Sequence, residues 1–145
     1  MQIRDVLAAK PDQTMHYVDP DATVAEAVAR MVVHGIGSLV VMQGETLVGL
    51  ITERDIVRGM NRVGVCLTDN KVSELMETEP LVADPDDSAD YGLDVLTRSR
   101  ASHLVVLEDH KPLGVVSLHD VARAHLDAAH YRNDQLKRYI RHWPE

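Results

Sequence analysis

The chain has 145 residues and a formal net charge of −8, and 45% of its residues are hydrophobic, values typical of one soluble globular domain with a substantial core. The negative charge argues against a nucleic-acid partner, because non-specific binding depends on neutralising phosphates, and the sequence has no apolar run long enough to span a membrane. Charged residues near the N-terminus and the lone cysteine, Cys66, predict a cytoplasmic protein without disulfide bonds.

The predicted elements occur twice in the same order, strand, helix, strand, strand and helix, each time after a short helical lead-in at residues 3–9 and 72–76. In the first copy the segment Asp19-Pro20-Asp21 precedes an apolar stripe with helical spacing. That stripe consists of Val24, Ala27, Val28 and Met31. Two short β-rich runs follow, residues 39–41 and 47–51, and a second helix is predicted to begin at Thr52.

The second copy follows the first at a constant offset of 65 residues, without a gap. Its matching features are Asp84-Pro85-Asp86, the stripe Ala89, Gly92, Leu93 and Leu96, the run Leu104-Val105-Val106, and the run 112–116. Both copies end in the same pattern of Gly, two apolar residues, a hydroxyl residue, two variable residues and Asp. The pattern reads GLITERD at residues 49–55 and GVVSLHD at residues 114–120. Two copies are too few for an open solenoid. The repeat therefore favours two half-cores packed face to face.

The paired motifs, the Asp-Pro-Asp segments and the Leu-Val-Val strands together resemble tandem cystathionine-β-synthase-type (CBS) domains over roughly residues 1–127. The resemblance implies an α+β fold in which two βαββα repeats pack with pseudo-two-fold symmetry. We expect residues 1–62 and 71–127 to form the repeats, residues 63–70 to link them, and residues 128–145 to form a C-terminal helical extension.

Two interpretations apply to the hydroxyl and Asp residues of the motifs, Thr52 with Asp55 and Ser117 with Asp120. They suit a capping box, in which a hydroxyl before the helix and an acidic residue three positions later satisfy free backbone N–H groups. The same helix end also attracts an anion, and an Asp one turn into the helix can accept both hydroxyls of a ribose. The CBS resemblance implies that these residues bind an adenosine ribose in a cleft between the repeats.

Further candidates for nucleotide contact lie beside the motifs or before the central strands. They are Arg54, Arg58, Arg98, Arg100, Arg123, His119, His103, Ile36 and Gly37. Arginine can hold a phosphate through forked donors, whereas His119, at the position matching Arg54, does so mainly when protonated. The first motif is therefore the preferred site. Each candidate also has a plainer interpretation: a solvated helix face for the arginines, a structural role for His103, and a helix stop for the glycine-containing segment.

The predicted C-terminal helix carries a second apolar stripe, formed by Leu136, Tyr139, Ile140 and Trp143, in a locally basic segment. This stripe needs a partner surface, either the domain body or a second subunit. CBS pairs usually dimerise, so the resemblance and the apolar stripes together predict a homodimer.

The sequence favours a regulatory sensor that binds an adenine nucleotide (AMP, ADP or ATP) and signals through a protein partner in trans or a change in assembly. S-adenosylmethionine and NADH are alternative ligands of the CBS family. Two alternative functions stay open: a ligand-free interaction or dimerisation module, and a metal- or redox-responsive protein that uses its eight histidines and Cys66. No nucleophile with its base and no paired-carboxylate signature indicates an enzyme. His125 and His130 are five residues apart and would not reach one ion from a straight helix, so a metal site would have to combine distant histidines with Cys66.

Overall fold

The computed structural model describes residues 1–64 and 68–141 of the chain, so Cys66 and Trp143 lie outside the described residues. The first half contains α1 (Ile3–Ala8), β1 (Tyr17–Val18), α2 (Val24–His34), β2 (Ser38–Gln43), β3 (Thr46–Thr52) and α3 (Glu53–Val63). The second half contains α4 (Val72–Leu75), β4 (Val82–Ala83), α5 (Ala89–Ser99), β5 (His103–Glu108), β6 (Lys111–Ser117) and α6 (Leu118–Arg141). The predicted α+β fold of two βαββα repeats is confirmed.

Each half builds a three-stranded sheet of the same design. In the first, β1 runs parallel to β2 and β2 runs antiparallel to β3. In the second, β4, β5 and β6 pair in the same way. The two β-bulges also correspond, one between Val41 and Met42 and the other between Val106 and Leu107. The offset of 65 residues in the sequence therefore persists as identical strand register in the two sheets.

The sheets face each other through a small apolar layer whose buried members are Val40, Leu50 and Val105. The helices cover the outer faces, and each half keeps its own larger core. The stripe of α2 is buried at Val24, Ala27 and Met31, as its spacing predicts. Val28, the fourth member of the stripe, is 39% exposed.

The lead-in helices α1 and α4 are exchanged between the halves. Ile3 and Val6 of α1 belong to the core of the second half, and Val72 and Leu75 of α4 belong to the core of the first. Backbone bonds fix the exchange: the Ile3 N–H donates to the Asp87 carbonyl, 2.8 Å. This crossing ties the two repeats into one unit.

The final helix α6 is one continuous helix of 24 residues, so the predicted extension begins inside it without a break. Its first turns pack on the second half through Val121 and Ala124, whereas all described residues from 129 to 140 are exposed. Among the described residues, no helix is both long and apolar enough to cross a membrane.

Candidate functional site: two clefts between the repeats

The two seven-residue motifs lie where the last strand of each half gives way to a helix. Thr52 precedes α3, and its side-chain oxygen accepts the Asp55 N–H at 3.3 Å, while Asp55 Oδ2 accepts the Thr52 N–H at 2.9 Å. Ser117 and Asp120 repeat this arrangement at α6, with distances of 3.0 and 2.9 Å. The predicted capping boxes are present in both copies, and each contributes on the order of 1 kcal/mol to helix stability.

A cleft opens beside each motif. Cleft 1, about 260 Å³, is the cleft lined by Thr52 and Asp55. Cleft 2, about 210 Å³, is the cleft lined by Ser117 and Asp120. In each, the motif of one repeat faces the segment that joins the first helix to the central strand of the other repeat. That segment is 99–103 in cleft 1 and 35–38 in cleft 2.

Most of the predicted site residues line these clefts. Cleft 1 contains Thr52, Arg54, Asp55, Arg58, Arg100 and His103. Cleft 2 contains Ile36, Gly37, His103, Ser117, His119 and Asp120. Two predicted residues line neither cleft. Arg98 pairs with Asp94 on the exposed face of α5, and Arg123 lines a shallow depression with residues 9–11.

Cleft 1 contains three arginines that form no ion pair with any described residue. One Nη of Arg54 donates to the Arg100 carbonyl. Within the described residues, no carboxylate forms an ion pair with the guanidinium group of Arg54, Arg58 or Arg100. Guanidinium groups that line a cleft without an ion pair suit a phosphate or carboxylate ligand.

Cleft 1 also contains two acidic residues that no sequence motif marked, Glu77 and Glu79. Glu77 enters the cleft because its backbone pairs with that of Leu50 on the edge of β3, with N–H to carbonyl distances of 2.8 and 3.0 Å. This pairing joins positions far apart in the sequence, so no local motif marks it. Together with Asp55, the two glutamates balance the three arginines in formal charge.

Cleft 2 has a different chemistry. Its fixed cation is Lys10, another residue that the sequence did not mark. His16 also lines it, stacks on His34 with ring centroids 4.0 Å apart, and has Nε2 2.6 Å from Asp12 Oδ2. The contact with His16, followed by the Thr14 N–H, lowers the pKa of Asp12 to about 2.

His103 lines both clefts, so it is the side chain common to the two sites. Burial is the first cause of a lowered pKa for its imidazole; nearby Lys10 and Arg54 lower the pKa further, and Asp120 opposes them. The ring is therefore neutral at neutral pH and has one donor and one acceptor nitrogen. The Ser102 hydroxyl lies 2.7 Å from Nδ1. His103 offers hydrogen bonds, not charge, to a ligand in either cleft.

Neither cleft contains a recognisable metal centre: in the ranges 1–64 and 68–141, no three His, Cys, Asp or Glu side chains form a group that could hold a metal ion. The capping carboxylates have one oxygen committed to the helix end. The other oxygen of Asp55 accepts no hydrogen bond from a described residue. This arrangement leaves an acceptor free to meet hydroxyl donors of a ligand.

The CBS-domain profile matches residues 3–62 and 72–127, which together cover most of the chain. The chain belongs to the CBS-domain family. A mitochondrial CBS domain-containing protein of Arabidopsis thaliana, CBSX3, is 31% identical over 144 residues, which cover 94% of this chain and 68% of the relative.

Solved CBS structures share the fold. A CBS-domain containing protein of Agrobacterium tumefaciens has a TM-score of 0.81 at 27% identity, covering 86% of this chain and 99% of that chain. CBSX2, solved in complex with AMP, has a TM-score of 0.72 at 24% identity over 88% of this chain and 98% of its own. The CBS pair of MJ0100, solved with 5′-methylthioadenosine and S-adenosyl-L-methionine, has a TM-score of 0.73 at 23% identity, covering 88% and 98%.

Proposed function

We propose that this CBS pair is a regulatory sensor that binds an adenine nucleotide in cleft 1. The ribose hydroxyls meet Asp55 beside Thr52, and the phosphate meets the arginines of the same cleft. The observation that carries the proposal is the combination, in one cavity, of a carboxylate oxygen and three guanidinium groups that have no hydrogen-bonded or ionic partner, respectively, among the described residues. That combination matches the two polar ends of a nucleotide.

The phosphate end is supported by geometry within α3. Arg54 and Arg58 are four residues apart, so they lie on one face of the helix. Arg100 approaches from the other repeat. The N-terminus of α3 adds a positive dipole at the same place, which favours an anion. A nucleotide held by these groups would bridge the two repeats.

The charge balance of cleft 1 bears on the number of phosphates. Glu77 and Glu79 offset part of the positive field of the arginines, and like charges close together are costly. We therefore expect AMP to bind at least as tightly as ATP. The AMP-bound relative supports an adenine ligand of this size, and the second CBS pair supports S-adenosylmethionine as an alternative ligand.

The proposal is tested by calorimetric titration of AMP and ATP into the wild type, Asp55→Asn and Asp120→Asn. Asparagine keeps an acceptor for the Thr52 N–H but removes the charge, so the helix cap is preserved better than by alanine. Loss of a charge-assisted hydrogen bond to the ribose should weaken AMP binding to Asp55→Asn by about ten- to a hundredfold. Asp120→Asn, the matched change in cleft 2, should bind as the wild type does.

Thermal unfolding of each variant in the absence of ligand controls for lost capping. If a folded Asp55→Asn variant binds AMP as tightly as the wild type does, Asp55 is a helix cap and not a ribose contact. A wild type that binds no adenine ligand would instead favour the ligand-free interaction module. The output of the sensor, which we place in a protein partner or a change of assembly, and the cytoplasmic location stay predictions from the sequence.

A further inference from the structure

Lys10 lines cleft 2 and contacts two of its acceptor groups from within the chain. Its Nζ donates to the Val115 carbonyl at 2.7 Å and lies 3.6 Å from Asp120 Oδ2. The side chain of Lys10 is only 28% exposed, and that of Asp120 only 21%. One ammonium group therefore serves both a strand-edge carbonyl and the carboxylate that corresponds to Asp55.

The chain holds Lys10 in this place by local bonds. Lys10 follows α1, which packs on the second half, and its N–H donates to the Leu7 carbonyl at 3.2 Å. The Gln13 amide donates to the carbonyls at the end of α1, those of Leu7, Ala8 and Lys10. These bonds close the turn between α1 and β1, so the root of the lysine is fixed beside the cleft.

Among the described residues that line cleft 1, no lysine corresponds to Lys10. Fourteen positions separate Ile3 from Tyr17, whereas ten separate Val72 from Val82, so the first lead-in connection is longer than the second. In cleft 1, the Leu50 carbonyl, which matches that of Val115, accepts the Glu77 N–H at 2.8 Å. Backbone pairing satisfies the strand edge there, and Asp55 keeps no cationic partner among the described residues.

We propose that Lys10 is an internal competitor that keeps cleft 2 closed to adenine nucleosides and nucleotides. A ligand that placed its ribose on Asp120 would compete with the ammonium group for this carboxylate, and a ligand that used the Val115 carbonyl would have to break the 2.7 Å hydrogen bond, both within a half-buried site. Cleft 1, without such a competitor, is then the single nucleotide site of each chain. This inference rests on the function proposed for cleft 1, but its test is separable from it.

A purely structural role for Lys10 is the alternative, because the lysine also satisfies an otherwise open strand edge. The two roles differ in what they predict. A structural lysine affects stability alone, whereas a competitor also sets the number of ligands bound. The ligand stoichiometry therefore decides between them.

The experiment is calorimetric titration of AMP into the wild type, Lys10→Met and Lys10→Gln. Methionine keeps the apolar stem without the charge, and glutamine can still donate to the Val115 carbonyl. We expect stoichiometry to rise from about one AMP per chain to about two in both variants, with the new site at least about tenfold tighter than cleft 2 of the wild type. Lys71→Met, at a lysine that pairs with Asp21 on the surface and lines neither cleft, is the matched control and should leave the stoichiometry unchanged.

Double variants assign the sites. Lys10→Gln with Asp55→Asn should retain the new site, and Lys10→Gln with Asp120→Asn should lose it. A folded Lys10 variant that still binds a single AMP overturns the inference. A wild type that already binds AMP in both clefts also overturns it. Either result leaves the proposed function of cleft 1 intact. If the wild type binds no AMP and Lys10→Gln gains an Asp120-dependent site, the inference holds and the function proposed for cleft 1 fails. Absence of AMP binding in every variant overturns both.

Discussion

Arg100 ends α5 in a left-handed conformation, with φ 55° and ψ 24°. The equivalent residue at the end of α2 is Gly35, with φ 61° and ψ 38°. Glycine adopts this conformation without cost, whereas a residue with a Cβ loses about 1–2 kcal/mol there. The second repeat therefore tolerates strain at the position where its side chain lines cleft 1. Strain at a cleft residue is an indication of function, because the backbone conformation alone would favour glycine.

Arg100→Gly should separate binding from stability. Relief of the left-handed strain and the greater freedom of glycine in the unfolded chain act in opposite directions, so the free energy of unfolding should stay within about 1 kcal/mol of the wild type. AMP affinity should fall about tenfold, because a guanidinium contact to the phosphate is lost. Denaturant unfolding and calorimetry measure the two quantities.

The matched control for Arg100→Gly is Arg98→Ala, which removes an arginine from the same helix end but from outside both clefts. It should leave AMP binding unchanged. Equal loss of affinity in the two variants would point to a general electrostatic effect, and an unchanged affinity in Arg100→Gly would remove Arg100 from the phosphate site.

At the scale of elements, the glycine of each motif serves the exchange of lead-in helices. A Cβ at Gly49 would lie 2.7 Å from the Glu77 carbonyl oxygen and 2.8 Å from Met76 Sδ. A Cβ at Gly114 would lie 3.1 Å from Leu7 Cδ2. Each glycine therefore faces a segment that crosses from the other half. Gly49 faces the residues that follow α4, and Gly114 faces α1. The atom nearest to a Cβ at Gly49 belongs to the backbone, whereas the atom nearest to a Cβ at Gly114 belongs to a flexible side chain.

Gly49→Ala should destabilise the protein by about 1–3 kcal/mol, because the added methyl group must displace backbone that is paired with Leu50. Gly114→Ala, the matched change in the other repeat, should cost less than about 1 kcal/mol, because Leu7 can change rotamer. Chemical denaturation of the two variants measures the difference. Equal losses of stability in the two variants would mean that the backbone contact at Gly49 is no harder to relieve than the side-chain contact at Gly114.

Local patterns predicted the elements well. The offset of 65 residues predicted the paired repeats, and the three-residue spacing of Thr52 with Asp55 predicted a capping box, because both features depend on neighbours in the chain. The exchange of α1 and α4 could not be predicted in this way, because it depends on which of two similar apolar surfaces a short helix contacts. Lys10 and Glu77 were missed for the same reason: the exchange brings them to the clefts.

Equivalent positions in the repeats also proved unequal in their surroundings. Arg58 and Arg123 match in sequence, yet Arg58 lines cleft 1 and Arg123 does not line cleft 2. The longer connection after α1 passes on that side, and residues 9–11 share a depression with Arg123. A sequence repeat therefore predicts the position of a side chain on its helix, but not the segments that surround it.

At the scale of the whole molecule, the described surface contains apolar residues on several helices. Val32 of α2 is 75% exposed and Val57 of α3 is 64% exposed. On α6 a longer stripe that shares Leu136 and Ile140 with the one noted in the sequence consists of Leu126, Ala129, the polar Asn133, Leu136 and Ile140. It repeats at alternating steps of three and four residues, the spacing of a helix that packs along another helix. The domain body does not cover the part of this stripe beyond residue 129. We therefore retain the prediction of a homodimer and expect α6 to contribute to it.

Leu136→Asp should weaken that dimer. Burial of one leucine contributes roughly 1.5–3 kcal/mol, and a two-fold interface contains the residue twice, so the dimer dissociation constant should rise about a hundredfold or more. Gln135→Asp introduces the same charge one residue away, outside the stripe, and should have little effect. Sedimentation equilibrium of the two variants and the wild type, over micromolar concentrations, measures the association. A monomeric wild type at tens of micromolar would contradict the prediction. A Leu136→Asp variant that dimerises as tightly as the wild type would move the interface to the helices of the body, where Val57→Asp should then dissociate it.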